Sequence, residues 1–383
     1  MRSRRQGGPA VRCRPAQLDD HGAIGALQLR YGLGCRSFAE WSHLWTDNPA
    51  CRERPGLAIG WVLEDSAGEI IGTLGNIPFL FSFQGRRLVA GTSHAWVVDE
   101  RYRALAPMLL ERFLSQPEVD FQLALYPNRL SEPVIALRCD RVPTGKWDEY
   151  AFWITNYRAY AERVVARRAP HPRLARALSL PGALALRLRD RLRTAPVRPG
   201  DADVRACVSF DERFDVFWDD FERAHPGLLL AVRSRAVLEW HYEHVRAQGR
   251  LWIASVVDGD RIVAYATFDR KNATTMRLVD YQSLAGTTAL LPALLHWAIE
   301  RCRREGFLTL MAVGSWLEPG ALLDRIAPHR RRLHRWLYFY HASDPGLAER
   351  LRDRHVWAPT LFDGDESLVP HAEDSTAEAT ASD

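Results

Sequence analysis

The stretch Val97-Val-Asp-Glu-Arg-Tyr-Arg-Ala-Leu-Ala-Pro-Met-Leu-Leu110 changes periodicity halfway along. It closes a strand-like run that begins at Arg86 and opens a helical run from Pro107 to Ser115. Proline at a first-turn position lacks only an N–H that would be unpaired anyway. A strand feeding a helix through a short turn is a βα step, and the residues on either side show what it belongs to.

Upstream, Leu18–Gln28 and Ser37–Trp45 read as helices, the second from a serine cap. Leu57–Glu64, the turn at Asp65–Gly68, and Glu69–Phe83 read as a hairpin. Gln84-Gly85 turns the chain into the Arg86–Val98 strand. Downstream follow a strand Phe121–Tyr126, a helix Leu130–Leu137 and a strand Glu149–Ile154. The second half repeats this order. Helices Phe210–Ala224 and Ser234–Val245 precede strands Leu251–Val257, Asp260–Phe268 and Thr275–Ser283. A helix Thr287–Glu305, a strand Phe307–Val313, a helix Gly320–Ile326 and a strand Leu333–His341 complete it. Glu40-Trp41 and Glu239-Trp240 stand at matching places before the two hairpins. Nine elements in one order, twice, predict an internal duplication.

The bulk figures agree with two cores. The chain has 383 residues, 47% of them hydrophobic and 10% aromatic, enough to bury two interiors. The net charge of +4 is carried almost wholly by arginine, since Lys146 and Lys271 are the only lysines, and acids nearly balance it. DNA binding is therefore not expected. Met1–Ala10 has no apolar h-region, and no uninterrupted apolar stretch reaches spanning length, so a soluble, cytoplasmic protein is expected. The six cysteines form no C-x-x-C pair and read as reduced thiols. His241 and His244 share a helix face without a partner at ligand spacing, so no metal site is expected.

The predicted division is 11–156 for the first domain, 157–202 for an arginine-rich helical connector and 203–345 for the second domain. A C-terminal extension follows over 346–370, and a disordered Ser/Thr/Ala/acid tail over 371–383. Residues 163–198 are basic and amphipathic, which suits an anionic membrane surface. The prolines at 170, 172, 181 and 196 interrupt the period, and a connector with solvated arginines is the favoured reading.

The element order and the 97–110 segment resemble the GNAT superfamily, whose members move an acyl group from coenzyme A to an amine. The resemblance implies an α/β class (α+β type), with two units each built on a mixed, mostly antiparallel sheet flanked by helices. It implies acetyl-CoA or another acyl-CoA as co-substrate, and as acceptor a small-molecule amine, an amino sugar or an amino acid. Val97, Val98, Arg103, Ala104, Leu105 and Ala106 occupy the family's phosphate-binding strand and turn. There, helix-start N–H groups and their dipole would hold a pyrophosphate. Ala106 and Met108 replace the family's glycines, and Pro107 removes one donor. Asn128 matches the asparagine at the end of the next strand. The family's acid tyrosine falls near Ile135, which cannot donate a proton, so Tyr126 or a water would protonate the leaving thiolate. His94, on the strand facing substrate, is the best-placed base, with Glu100 one loop later. The second unit has no basic residue before its Asp280–Thr288 turn and reads as a degenerate copy.

Two other readings fit the same frame. Fem-type transferases pair two such units and use aminoacyl-tRNA, although the near-balanced charge suits RNA poorly. The missing glycines and tyrosine also suit a GNAT-fold binding protein without catalysis.

Overall fold

Two three-stranded meanders, one in each half of the chain, carry the architecture. The computed structural model describes residues 11–143, 146–166, 172–198, 200–286, 288–313, 317–333 and 336–368. The tail expected to be disordered lies outside them.

In chain order, β1 (Arg12–Pro15) precedes α1 (His21–Arg30), α2 (Phe38–Thr46) and α3 (Pro49–Glu53). The first meander is β2 (Gly60–Glu64), β3 (Ile70–Phe83) and β4 (Arg86–Val98). Then come α4 (Ala106–Leu114), β5 (Phe121–Leu125), α5 (Glu132–Ala136) and β6 (Asp140–Arg141). The chain continues with β7 (Glu149–Ile154), α6 (Tyr157–Ala166), α7 (Pro172–Arg193), β8 (Val204–Cys207), α8 (Glu212–Ala224), β9 (Leu230–Ala231) and α9 (Arg235–Ala247). The second meander is β10 (Leu251–Asp258), β11 (Arg261–Asn272) and β12 (Thr275–Ser283). It leads to α10 (Leu291–Glu305), β13 (Thr309–Val313), α11 (Leu317–Ile326), β14 (His329–Arg332), β15 (Tyr338–His341) and α12 (Pro345–Leu351).

The chain divides into two units: 1–142 with 229–232 and 338–356, and 143–228 with 233–337 and 357–383. The first unit's sheet runs β1-β2-β3-β4-β5-β15-β6, with β9 also on β3. The second unit's sheet runs β14-β7-β13-β12-β11-β10-β8. Each is antiparallel except at one junction, β4/β5 and β12/β13, where the helix between the strands makes a parallel crossover.

Neither unit has the expected boundaries. The run Glu149–Ile154, expected to close the first domain, pairs instead with β13 and β14 of the second sheet. The C-terminal run reciprocates, with Tyr338–His341 pairing with β5. The expected extension over 346–370 is likewise divided, α12 going to the first unit and residues beyond 357 to the second. A short apolar run states that it is a buried strand but not which edge it will cover. The arginine-rich segment forms α6 and α7, and α7 runs on through Pro181. The expected interruption there is absent: a proline removes one ladder bond, which a 22-residue helix absorbs.

Local signals explain the rest. Ser37 and Glu40 form a reciprocal cap at the start of α2, each side chain accepting the other's backbone N–H. Helix α8 buries Phe214, Phe217, Trp218 and Phe221 on one stripe. Each such side chain is worth up to roughly 1.5–3 kcal/mol relative to an exposed one. In the Trp336–Tyr340 run, Leu337, Tyr338, Phe339 and Tyr340 are buried core.

Candidate active site

In the first unit the parallel ladder between β4 and β5 spans Ala90–Thr92 only. Just past it, β4 carries one extra residue against β3, with His94 opposite Gly75 and Val97 opposite Thr73. Ala95, inside this bulge, has φ of +48°, a left-handed conformation that costs a non-glycine residue roughly 1–2 kcal/mol. A bulge breaks the ladder and re-aims backbone and side chains. The neighbouring strands give way to it. A Cβ on Gly75 would stand 3.1 Å from the His94 carbonyl oxygen, and one on Gly60, at φ +145°, only 2.5 Å from that of Leu74. Glycine inside a strand is the sequence signal for such a close approach.

His94 is half-buried at the bulge, and the Arg36 guanidinium donates to its Nε2 at 3.4 Å. Arginine has no acceptor, so Nε2 carries the lone pair and Nδ1 the proton in the neutral ring. Beside the ring lies a small cavity of about 10 Å³, lined by Gln28, Trp41, Trp45, Thr73 and His94 among others. That is about the room a single water needs, and Gln28, Thr73 and His94 supply polar side chains to its lining. Trp41 stood out in the sequence only as part of the repeat, and Arg36, Gln28 and Trp45 were not read as site residues, because the contacts that bring them to β4 span tens of residues.

Val97 and Val98 end β4 as expected. The helix then starts earlier than expected, because Glu100–Leu105 forms a 3-10 turn that runs directly into α4. Arg103, Ala104, Leu105 and Ala106 thus lie within a continuous helical run rather than ahead of it. The N–H groups at its start have partners. Glu100 N donates to the Tyr31 hydroxyl at 2.8 Å, Arg101 N to the Asp99 carboxylate at 3.1 Å, and Tyr102 N to the Asp99 carbonyl at 2.8 Å. The Arg30 guanidinium pairs with Asp99 at 3.0 Å, and Arg103 faces Glu100 at 3.5 Å. Glu100 is therefore tied to the turn and exposed, away from a base's surroundings. Met108, at a position where the resemblance implies glycine, is 40% exposed.

At the end of β5, Tyr126 has φ of +50° and a buried hydroxyl. Asn128 follows Pro127 and is exposed. Its Oδ1 accepts from the N–H groups of Leu130 and Ser131 at 2.8 and 2.9 Å, which shapes the turn into α5 and occupies the carbonyl side of the amide. Ile135 is buried core.

The second unit fills the corresponding place. On β12 the parallel pairing ends at Leu278 and a register shift follows. Asp280 lies two residues on, as His94 lies two past Thr92. Asp280 is fully buried and accepts from Arg233 Nε at 2.9 Å, Tyr265 Oη at 2.8 Å and Thr360 Oγ1 at 2.9 Å. Arg233 also donates to Asp363 at 2.8 Å, and Arg277 holds Asp269 and Glu366 at 2.6 and 2.8 Å. Burial opposes the charge on Asp280, yet the Arg233 guanidinium holds its carboxyl below the usual carboxylate range. Burial pushes Asp363 up to about 6. His241 is a core histidine: its Nε2 lies 2.7 Å from Ser367 Oγ and burial pushes it down to about 3. Residues 360–367 and Arg233 thus plug the second sheet where the first sheet has its bulge and cavity. Among the described residues no cluster of three or more His, Cys, Asp or Glu is placed to hold a metal ion.

No family model matches the sequence, and no curated protein matches it. Solved structures do. A GCN5-related N-acetyltransferase from Kribbella flavida is 12% identical with a TM-score of 0.53, over 87% of this chain and 71% of that one. A probable N-acyltransferase from Enterococcus faecalis is 12% identical with a TM-score of 0.54, over 87% and 73%. Saccharomyces cerevisiae N-myristoyltransferase with bound myristoyl-CoA is 10% identical with a TM-score of 0.51, over 86% and 82%. The two sheets are two GNAT-like units, each a mixed sheet flanked by helices.

Proposed function

We propose that the chain is an acyl-CoA-dependent N-acyltransferase with a single reaction centre, at the bulge of β4 in the first unit. The observation that carries the reading is the parting of β4 from β5 at Thr92 beside a left-handed Ala95. It leaves strand backbone and a titratable side chain at the mouth of a gap in a sheet of this fold. Acetyl-CoA or another acyl-CoA is the donor, and a small-molecule amine or amino sugar the acceptor. The solved N-myristoyltransferase, described with myristoyl-CoA bound, supports the donor class.

In this reading the acceptor amine attacks the thioester carbonyl. The C–N bond forms, the C–S bond breaks, and the amine's proton passes to His94 Nε2, directly or through a water in the adjoining cavity, as the Arg36 guanidinium moves off that nitrogen. Backbone N–H groups freed by the bulge stabilise the oxyanion. The thiolate leaves with a proton from Tyr126 or from water. Arg30, Arg101 and Arg103 surround the helix start and supply positive charge for the pyrophosphate. The plugged second unit serves as frame and takes no acyl-CoA.

A second reading, a binding protein of the same fold without turnover, draws on one observation: the N–H groups of Glu100, Arg101 and Tyr102 already have partners. Titration calorimetry with acetyl-CoA and longer acyl-CoAs tests the donor, and thiol release in the presence of an amine separates the two. Binding weakened by Arg103→Ala supports the donor, and thiol release the enzyme reading. Heat from none of them refutes it.

A further inference from the structure

Helix α7 carries a second surface that this chemistry does not use. Leu180, Leu184, Leu188 and Leu192 recur every four residues and are 57–79% exposed. Ala177, Leu178 and Ala185 are exposed on the same side. The opposite face is the buried one. Ser179 is buried there, and Asp190 accepts from Tyr157 Oη at 3.0 Å and lies 2.8 Å from His329 Nε2. A helix whose most apolar face points to solvent has its usual orientation reversed.

Charge names the occupant. Asp190 is the only acid between residues 163 and 198, and it is buried. The exposed side of α7 therefore carries no negative charge, while the exposed Arg187 and Arg191 border the leucines. Leucines four apart step round the helix by roughly 40° each time. They spread into a broad strip, unlike the alternating three-and-four spacing of a coiled-coil seam. A wide leucine face edged by guanidinium groups fits a surface that is apolar below and anionic above. We propose that α7 lies in the interface of an anionic lipid bilayer, its leucines among the acyl chains and Arg187 and Arg191 on lipid phosphates. This proposal takes the membrane-surface reading of the segment over that of a solvated connector.

Flotation of the full chain with vesicles of phosphatidylcholine, with and without phosphatidylserine, tests this. The expected result is binding to the phosphatidylserine vesicles alone, weakened by added salt. Leu184→Ser/Leu188→Ser and Arg187→Gln/Arg191→Gln should each lower it by roughly tenfold or more, with the melting temperature unchanged because these side chains are exposed. Absence of flotation overturns the proposal, as does flotation that neither variant reduces. A wild-type dimer in light scattering that Leu184→Ser/Leu188→Ser splits, without vesicle binding, also overturns it and assigns the face to a second copy.

Discussion

Replacing Arg233 with methionine removes one guanidinium and leaves two buried carboxylates, Asp280 and Asp363, facing each other. Its hydrogen bonds go with it, among them two to Asp280 and one each to Thr360 and Asp363. Methionine fills a similar volume, so the cost is mainly that of buried charge without its counter-charge, about 3–5 kcal/mol at neutral pH. For a domain of this size that is a fall in melting temperature of roughly 6–20 °C. The variant escapes part of the cost by holding a proton on one carboxyl that the unfolded chain releases. Its stability relative to the parent therefore rises as pH falls, recovering about 1.4 kcal/mol for each pH unit over which only the native state is protonated. The parent drifts less, because two groups oppose. Asp363, raised to about 6, contributes stability that is complete below its unfolded value and lost as pH rises through 6. His241, lowered to about 3, contributes stability that is complete above about 6.5 and lost as pH falls towards 3. Thermal melts of parent and variant at pH 7.5 and 5 read both effects. A loss below about 2 °C, or the same loss at both pH values, refutes the idea that the cluster depends on its counter-charge.

Three further outcomes follow from the first unit. Gly60→Ala should cost roughly 3 kcal/mol or more in chemical denaturation, because the new Cβ meets the Leu74 carbonyl at 2.5 Å. His94→Gln should lower kcat/KM for thiol release about 100-fold while leaving acetyl-CoA affinity within twofold in calorimetry; equal loss in both would make His94 a structural residue. A truncated chain ending at residue 156 should lack a cooperative melt by circular dichroism, since β15 is missing from its sheet.

Much of the fold was legible because it is written locally. Period-two runs, the Asp65–Gly68 and Asp258-Gly259 turns and the Ser37/Glu40 cap each act within a few residues. The repeated order then follows by comparing halves. What local pattern cannot hold is partner choice, so the exchange of Glu149–Ile154 for Tyr338–His341 was invisible. The site divides in the same way. His94 was singled out by its chemistry and its strand, and it stands at the bulge. Its companions come from α1, which carries Gln28, and from the loop before α2, which carries Arg36, and only tertiary packing decides how these dock. The phosphate turn shows the opposite failure: its sequence resembles an open loop, but Asp99 and Tyr31 satisfy the N–H groups that the analogy left free. Asp280 read as part of a worn turn, when burial makes it the anchor of an ion cluster.

The exchanged strands also bear on how the chain is made. During synthesis the first unit's residues up to Val142 emerge long before Tyr338–His341. At about 5–20 residues per second the wait is roughly 10–40 s. Throughout it, the outer edge of Phe121–Leu125, a strand buried along its whole length in the finished protein, has no neighbour from β15. An open apolar edge is a template for pairing with another chain. The nascent N-terminal half therefore keeps this edge open until β15 is made. Synonymous codon changes that slow translation between Val142 and Tyr338 should show first as aggregation of the half that holds the bulge.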